Sequence, residues 1–141
     1  TYFDYEEALA ASKALKKPLL VDFTGHSCVN CRKMERTVLS KPKILKRLKE
    51  EFLLVSLYCD DKTPLAPEDV IVTAEGKTLK TIGDKNLDIQ LNKYQAVAQP
   101  YYVFVDGDAN NLIIAGGYDP DIERFNRILD EALLRFKQQN P

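Results

Sequence analysis

The sequence has little of what marks several large classes of protein. None of its apolar runs approaches the roughly 20 residues that a helix needs to cross a bilayer. Residues 1–5 have neither the basic start nor the apolar stretch of a secretory signal. With 20 basic and 21 acidic residues, the net charge is −1, and no basic stripe indicates nucleic acid as a partner. We expect a globular chain, either cytosolic or cut from a longer exported protein.

Cysteine and histidine are also scarce. Three cysteines are too few for a disulfide scaffold, and the odd number leaves Cys59 over. A structural zinc site needs four ligands, and besides the pair Cys28 and Cys31 the chain offers only Cys59 and the single histidine, His26. The absence of a second cysteine or histidine pair argues against zinc. A length of 141 residues with 45% hydrophobic content suffices for one domain with a core and not for two. We therefore expect a single domain over residues 1–141.

What the chain does have is Cys28-Val29-Asn30-Cys31, placed where the apolar run Leu19–Phe23 gives way to a helical pattern. In the first turn of a helix the N–H groups are unpaired and the dipole is positive, which favours a thiolate. A thiolate is the species that attacks disulfides. Cys28, which lies earlier and nearer to solvent, is the predicted attacking thiol. Cys31, on the same helix face, would close a disulfide onto it and release the partner.

Strand and helix signals alternate along the chain. Ser40 is the predicted N-cap of a helix, and Pro42 is predicted to lie in the first turn of that helix. The first two strands should be parallel and the last two antiparallel. This order matches the thioredoxin-like α/β plan, a mixed four- to five-stranded sheet flanked by helices. The predicted elements are helices over 4–16, Cys28–Leu39, a stretch beginning near Ser40 and a stretch opened by Asp119-Pro120, and strands over Leu19–Thr24, Phe52–Tyr58, Tyr101–Val105 and Leu112–Ala115.

The segment at about 60–98 is longer than a crossover helix requires. Residues 70–72 and 78–80, on either side of Glu75-Gly76-Lys77, predict a small hairpin. Residues 86–97 have the apolar spacing of a short helix. We interpret this segment as an elaborated connection and not as a second domain.

Two acidic residues accompany the cysteines. Asp22 interrupts an apolar strand, and burial there would raise its pKa and let it exchange a proton with Cys31 near neutral pH. The alternative is that Asp22 faces water from an edge or caps a backbone group. Glu35 lies one helical turn beyond Cys31. Acidic neighbours disfavour a thiolate, which makes a dithiol a better reductant, and Val29-Asn30 adds no positive charge.

Pro100 precedes the third predicted strand. A cis peptide at Gln99-Pro100 would turn the chain and expose a backbone edge beside the thiols, whereas an ordinary trans proline starting a strand is the alternative. The candidate partner-binding residues are Gln99, Pro100, Ser27, Val29 and Asn30. We expect His26 to face solvent and Cys59 to be a small buried residue without a redox role.

The stretch Lys17–Glu35 resembles the C-terminal thioredoxin-like domain of DsbD-type thiol:disulfide interchange proteins. The shared pattern is an aspartate six residues before the first cysteine, Cys-Val-x-Cys followed by Arg, a glutamate four residues after the second cysteine, and a Ser-x-Pro helix restart. Ser27 stands where that family usually has an aromatic residue, and the connection at 60–98 is longer than we expect for it. The resemblance implies that Cys28 and Cys31 are the redox couple, that Asp22 and Glu35 tune it, and that Pro100 is cis.

The resemblance also implies a place in the cell. Such domains are periplasmic and tethered to a membrane-embedded electron carrier that draws on cytosolic thioredoxin, and their partners include proteins of cytochrome c biogenesis. On this interpretation the chain is a monomeric fragment of a longer membrane protein. It would use no cofactor beyond the Cys28–Cys31 disulfide and would reduce disulfides of protein partners.

Two other functions remain open from the sequence. A copper-handling module could bind Cu(I) through Cys28, Cys31 and either His26 or Cys59, because soft thiolates suit that ion. A binding module could instead keep the fold without redox cycling.

Overall fold

The computed structural model describes residues 1–140. Strand and helix alternate as the sequence predicts, and most bounds agree with it to within a few residues. In chain order the elements are α1 (Tyr5–Leu15), β1 (Leu19–Thr24), α2 (Val29–Met34), a π-helical turn (Glu35–Leu39), α3 (Pro42–Glu51), β2 (Leu53–Tyr58), a 3-10 turn (Pro67–Asp69), β3 (Ile71–Val72), β4 (Thr78–Leu79), α4 (Ile82–Tyr94), β5 (Tyr101–Val105), β6 (Asn111–Gly116) and α5 (Ile122–Gln139).

The main sheet has four strands in the order β2-β1-β5-β6. Strand β1 pairs in parallel with β2, and β5 is antiparallel to both β1 and β6. The mixed sheet and both strand directions are therefore confirmed. Strands β3 and β4 pair only with each other as a separate hairpin, so within residues 1–140 the main sheet has four strands and no fifth.

Helices cover both faces of the sheet and create two apolar cores. Because successive side chains of a strand point to opposite faces, β1 contributes Leu20 to one core and Leu19, Val21 and Phe23 to the other. The Leu20 core packs α2, α3 and α5 against the sheet, whereas the other core includes residues of α1. By the same alternation Asp22 shares the face of Leu20, on the side of the sheet where α2 packs.

The helix after β1 is shorter than predicted and changes its winding. It begins at Val29 with Cys28 as its N-cap residue, and after Met34 the chain continues as the π-helical turn. Ser40 is not the N-cap of α3, because it ends that turn and its hydroxyl donates to the Arg36 carbonyl at 3.0 Å. The first turn of α3 does contain Pro42, as predicted.

The last helix begins two residues later than predicted. Asp121 and not Asp119 is the N-cap, since its carboxylate accepts the N–H of Arg124 at 3.0 Å. Asp119 instead accepts the N–H of Asp121 at 3.0 Å and forms the turn that leads into the helix. Two aspartates with the same capping chemistry stand close together here, and the structure uses the second.

The long connection contains the predicted hairpin and a helix that is shifted along the chain. Helix α4 starts four residues before the predicted Asn86, because Thr81 and Asp84 form a capping box at its N-terminus. It ends at Tyr94, where Gln95 takes a left-handed conformation with φ of 51°. Among residues 1–140, none of the helices combines the length and apolarity required to cross a bilayer.

The N-terminal segment lies along the outer edge of the sheet. Tyr2 forms a parallel bridge with Val55 of β2. Its N–H donates to the Leu54 carbonyl at 2.8 Å, and its carbonyl accepts the N–H of Ser56 at 2.9 Å. One residue thus pairs with the middle of an edge strand that has β1 on its other side.

Candidate functional site

The two cysteines predicted to react are joined as a disulfide, Cys28–Cys31. Cys28 is half-buried, whereas Cys31 is only 1% exposed. The N–H of Cys31 donates to the Cys28 sulfur at 3.1 Å, as it would to the side chain of an ordinary capping residue. The difference in exposure makes Cys28 the sulfur that a partner can reach, as the sequence predicts.

A loop before β5 lies against Cys28. The Gln99–Pro100 peptide bond is cis, as the resemblance implies, and Pro100 is buried. The Gln99 carbonyl lies 3.5 Å from the Cys28 sulfur. The Gln99 side chain donates to Gln90 and to the Val97 carbonyl, each at 2.9 Å, which holds the loop in place. A backbone carbonyl is therefore presented next to the reactive sulfur.

The other candidate partner-binding residues surround Cys28 at the surface. Ser27, Val29 and Asn30 are all exposed, and the Val29 side chain is 71% exposed although it is apolar. A shallow cavity of about 260 Å³ opens beside Cys28. It is lined by Gly25, Ser27, Cys28, Cys59, Asp60, Leu87, Val97 and Gln99. These surfaces are free to contact a protein that approaches the disulfide.

Asp22 is buried, with 5% of its surface exposed, because β1 lies between β2 and β5. The alternative of an edge aspartate facing water is therefore wrong. The pKa of Asp22 is raised from 3.8 to about 7, mainly by burial and in addition by the charge of Glu35, while the charge of Arg32 opposes the rise. Its Oδ1 atom has no hydrogen-bond partner among the described residues. Asp22 is thus a carboxyl group that can gain or lose a proton near neutral pH.

Glu35 does not stand alone as a second acid. Its Oε2 atom lies 2.8 Å from Nη2 of Arg32, and the two side chains are 43% and 34% exposed. Arg32 Nη2 also donates to Thr24 Oγ1 at 3.3 Å, and its Nε atom is buried without a partner. Arg32 therefore offsets part of the negative charge of the two acids.

Asp22 and Glu35 both border an open cavity of about 580 Å³ on the α2 side of the sheet. Its walls are mainly apolar side chains of α3, β2 and the N-terminal segment, among them Leu48, Phe52 and Leu54. Cys28 and Gln99 do not line it. The cavity brings solvent close to the buried carboxyl group from a direction other than that of the disulfide.

The remaining candidates, His26 and Cys59, take other positions. His26 is exposed as expected, and its ring stacks on Tyr58 with centroids 3.9 Å apart and an angle of 11° between the planes. We expected Cys59 to be buried, but it is only half-buried. Burial and the charges of Asp60 and Asp22 raise the pKa of its thiol to about 12. Among residues 1–140, no group of three or more His, Cys, Asp or Glu side chains could hold a metal ion.

Sequence reasoning did not single out two residues that the structure places at the site. Arg32 had a signal, because its i,i+3 spacing to Glu35 favours a pair on one helix face. Asp60 had no local signal, since it accepts hydrogen bonds from His26 and Ser27, more than 30 residues earlier in the chain.

Comparison with known proteins places this arrangement in a family. Among curated proteins, the thioredoxin-related protein DsbJ of Chlamydia pneumoniae is 39% identical over 57 residues, which are 40% of this chain and only 16% of that protein. Three solved structures share the fold. A DsbH oxidoreductase is 23% identical with a TM-score of 0.70, and the match covers 95% of this chain and 84% of that one. A thioredoxin from Thermus thermophilus is 22% identical with a TM-score of 0.69, and the match covers 99% of this chain and 92% of that one. The oxidised C-terminal domain of DsbD from Neisseria meningitidis is 19% identical with a TM-score of 0.57, and the match covers 94% of this chain and 99% of that one.

The family match extends well beyond the cysteine motif. Residues 5–133 match the thioredoxin-like domain model, from the first helix to near the end of the last. The matched range includes the disulfide pair, the buried aspartate and the cis-proline loop. The chain therefore belongs to the thioredoxin-like domain family.

Proposed function

We propose that this protein is a thiol:disulfide oxidoreductase that uses Cys28 and Cys31 to reduce disulfides of other proteins. The observation that carries the proposal is the asymmetry of the pair. Cys28 is half-buried and lies beside the Gln99 carbonyl, whereas Cys31 is only 1% exposed and belongs to α2, which packs on the face of the sheet that bears Asp22. One sulfur can meet a partner while the other is protected until it is needed.

The first step joins the protein to its partner. In the reduced protein the Cys28 thiolate attacks one sulfur of the partner disulfide. A new bond forms between Cys28 and that sulfur, the partner disulfide breaks, and its other sulfur leaves as a thiolate that takes a proton from solvent. Extended partner chain can pair with backbone groups of the loop at Pro100, next to the sulfur under attack.

The second step releases the partner. Cys31 gives its proton to the Asp22 carboxylate, and the resulting thiolate attacks the Cys28 sulfur. The Cys28–Cys31 disulfide forms, and the second partner sulfur leaves as a thiolate and is protonated. Two thiols of this protein have been oxidised and one partner disulfide has been reduced. A carboxyl group with a pKa of about 7 suits this proton transfer because its driving force is balanced near neutral pH.

The direction of electron flow follows from the charges around the pair. Negative charge near a thiolate destabilises the reduced form, which makes a dithiol a stronger reductant. Asp22, Glu35 and Asp60 all lie near the site, and Arg32 offsets the charges of Asp22 and Glu35 only in part. This balance favours a donor of electrons over an oxidant.

We extend the proposal to the setting of the domain. The pattern over Lys17–Glu35 and the likeness to proteins named DsbJ, DsbH and DsbD support a periplasmic, DsbD-type role. In that role the chain is one domain of a longer membrane protein, and a membrane-embedded electron carrier restores the dithiol. Its partners would include proteins of cytochrome c biogenesis.

The test of direction is the reduction potential of the Cys28–Cys31 couple. The protein is equilibrated with dithiol buffers of known potential, and the oxidised fraction is measured by mass spectrometry after alkylation. A value near or below about −220 mV supports an electron donor. A value near about −120 mV would mean an oxidant and would contradict the proposed direction.

The test of the reaction is capture of its intermediate. Cys31→Ser leaves the first step intact and removes the second, so it should hold a partner as a mixed disulfide on Cys28. Cys28→Ser should capture nothing and should abolish reduction of insulin. Cys59→Ser is the matched control and should behave as the unaltered protein. Insulin reduction that survives Cys28→Ser would overturn the proposal in favour of a non-redox binding role.

A further inference from the structure

The carboxylate of Asp60, two residues past the end of β2, holds the turn that precedes Cys28. Its Oδ1 accepts the N–H of His26 at 2.9 Å, and its Oδ2 accepts the N–H of Ser27 at 3.1 Å. Both carboxylate oxygens are therefore used by consecutive backbone groups. Asp60 is exposed, and although some loss of solvent around its carboxylate acts to raise its pKa, these N–H donors hold that pKa below its usual range. The carboxylate is charged at neutral pH and has a fixed orientation.

One further contact fastens the same turn to the end of β2, and Gly25 lets the Asp60 carboxylate approach closely. The ring of His26 stacks on Tyr58, the last residue of the strand. A Cβ atom added at Gly25 would meet Asp60 Oδ2 at 3.3 Å and the Cβ of Cys28 at 3.5 Å. The space beside the Cα atom of Gly25 is therefore bordered by both the Asp60 carboxylate and the Cys28 side chain. Asp60 and Cys28 also line the same shallow cavity, so the negative charge of Asp60 lies near the Cys28 side chain although the two residues are far apart in sequence.

We propose that Asp60 is a positioning residue for the dithiol, which fixes the 25–27 turn beneath Cys28 and makes the Cys28–Cys31 couple more reducing. The proposal rests on the proposed function above, because it assigns a second residue to the same redox pair. Two physical effects follow from the contacts. The hydrogen bonds to His26 and Ser27 limit the places that the Cys28 sulfur can take, and the carboxylate charge disfavours a thiolate there.

Other charged groups around Cys28 do not duplicate this arrangement. Arg32 and Glu35 pair with each other on the helix that follows. Asp61, next along the chain, accepts the N–H of Thr63 at 2.9 Å and makes no hydrogen bond to the 25–27 turn. It is the natural control, since it carries the same charge one residue further along the chain but is turned toward Thr63 and not toward the 25–27 turn.

The experiment compares Asp60→Asn, Asp60→Ala and the control Asp61→Asn with the unaltered full chain. Two quantities are measured for each protein: the equilibrium constant of the Cys28–Cys31 couple with a dithiol buffer, and the rate of insulin reduction. Thermal unfolding of each oxidised protein monitors the fold. The asparagine variant can keep one acceptor for a backbone N–H, so it stays closer to the native turn than the alanine variant does.

Removing the charge should stabilise the thiolate and with it the reduced protein. We expect both Asp60 variants to shift the equilibrium about threefold toward the dithiol form. A shift of this size corresponds to the loss of a partly screened interaction between the carboxylate and the thiolate. Asp61→Asn should shift it by much less. Asp60→Ala, which also frees the turn, should slow insulin reduction more than Asp60→Asn does. A merely structural residue would alter the unfolding temperature without moving the equilibrium constant of the folded protein.

Two results would overturn this inference. One is an equilibrium constant that stays unchanged in both Asp60 variants, and the other is an equal shift in Asp61→Asn, which would mean that any nearby charge has the same effect. Either result leaves the proposed function standing as long as insulin reduction still depends on Cys28. If the unaltered protein shows no reduction that depends on Cys28, the proposed function itself fails.

Discussion

Replacing Asp22 by asparagine should remove the pH dependence that this residue gives to the free energy of unfolding. The folded protein holds the pKa of Asp22 at about 7, against 3.8 for an ordinary aspartate. Between these two values the folded protein keeps the proton and the unfolded chain has lost it. Unfolding therefore releases a proton in this window, and the free energy of unfolding falls as the pH rises through it. Above pH 7 the full penalty of a buried carboxylate remains.

The size of the effect follows from the two pKa values. At about 1.4 kcal/mol per pKa unit, Asp22 lowers the free energy of unfolding by about 3–4 kcal/mol between pH 4 and pH 8. Asparagine does not titrate and avoids this loss, but an amide without partners costs about 1–3 kcal/mol at every pH. Asp22→Asn should therefore be less stable than the unaltered protein at pH 4 and more stable at pH 8.

Urea unfolding of the oxidised proteins at pH 4, 6 and 8 measures this difference. The oxidised form is used because Cys28 and Cys31 do not titrate in it. The contributions of all other carboxylates to the free energy of unfolding are common to both proteins and cancel in the difference. Asp69→Asn is the control, since Asp69 is exposed, and its difference from the unaltered protein should stay within about 0.5 kcal/mol. A stability difference between Asp22→Asn and the unaltered protein that stays constant from pH 4 to pH 8 would refute the assignment of a raised pKa to Asp22.

Two further predictions concern the groups around the site. Glu35→Gln removes a charge that raises the pKa of Asp22 and leaves Arg32 to lower it, so the pH midpoint of Asp22 titration, followed by carboxyl NMR, should move down. The prediction would be contradicted if the midpoint did not move, or if it moved equally in the control Glu131→Gln, which also removes the acid of a helix-surface ion pair. Cys59, with a thiol pKa of about 12, should be alkylated at pH 7.5 at least about 100-fold more slowly in the folded oxidised protein than in urea, as measured by mass spectrometry. Equal rates would show that its thiol is not protected.

Much of the fold was predictable because burial leaves a clear pattern in the sequence. Strand β1 is apolar along most of its length, and the structure buries all six of its residues, since helices cover both faces. Its central place in the sheet follows from the same pattern. The burial of Asp22 was predictable for the same reason, because this residue lies within the run of buried residues that forms β1.

The details that the sequence did not predict depend on choices between similar local signals. Asp119 and Asp121 are both suitable N-caps, and so the start of α5 could not be decided from composition. Ser40 has the hydroxyl of a good cap, but the π-helical turn before it brings the Arg36 carbonyl within reach of that hydroxyl. In each case two hydrogen bonds of similar strength compete, and the packing of the whole chain selects one.

The role of Asp60 shows a different kind of difficulty. Its contact with His26 depends on the parallel register of β1 and β2, which sets Thr24 opposite Tyr58. The turn after β1 and the loop after β2 then leave the sheet at the same edge. No short motif reports such a contact, because neither segment carries information about the other until the strands pair.

The bridge made by Tyr2 has a consequence for how the molecule behaves in a crowded solution. An unpaired edge strand offers a row of N–H and C=O groups on which a foreign strand can pair, and this is a common route to aggregation. Tyr2 occupies the carbonyl of Leu54 and the N–H of Ser56, so an incoming strand cannot pair continuously along β2. Loss of this one residue from the edge would open a template for self-association without altering the disulfide, the buried acid or the loop that define the site.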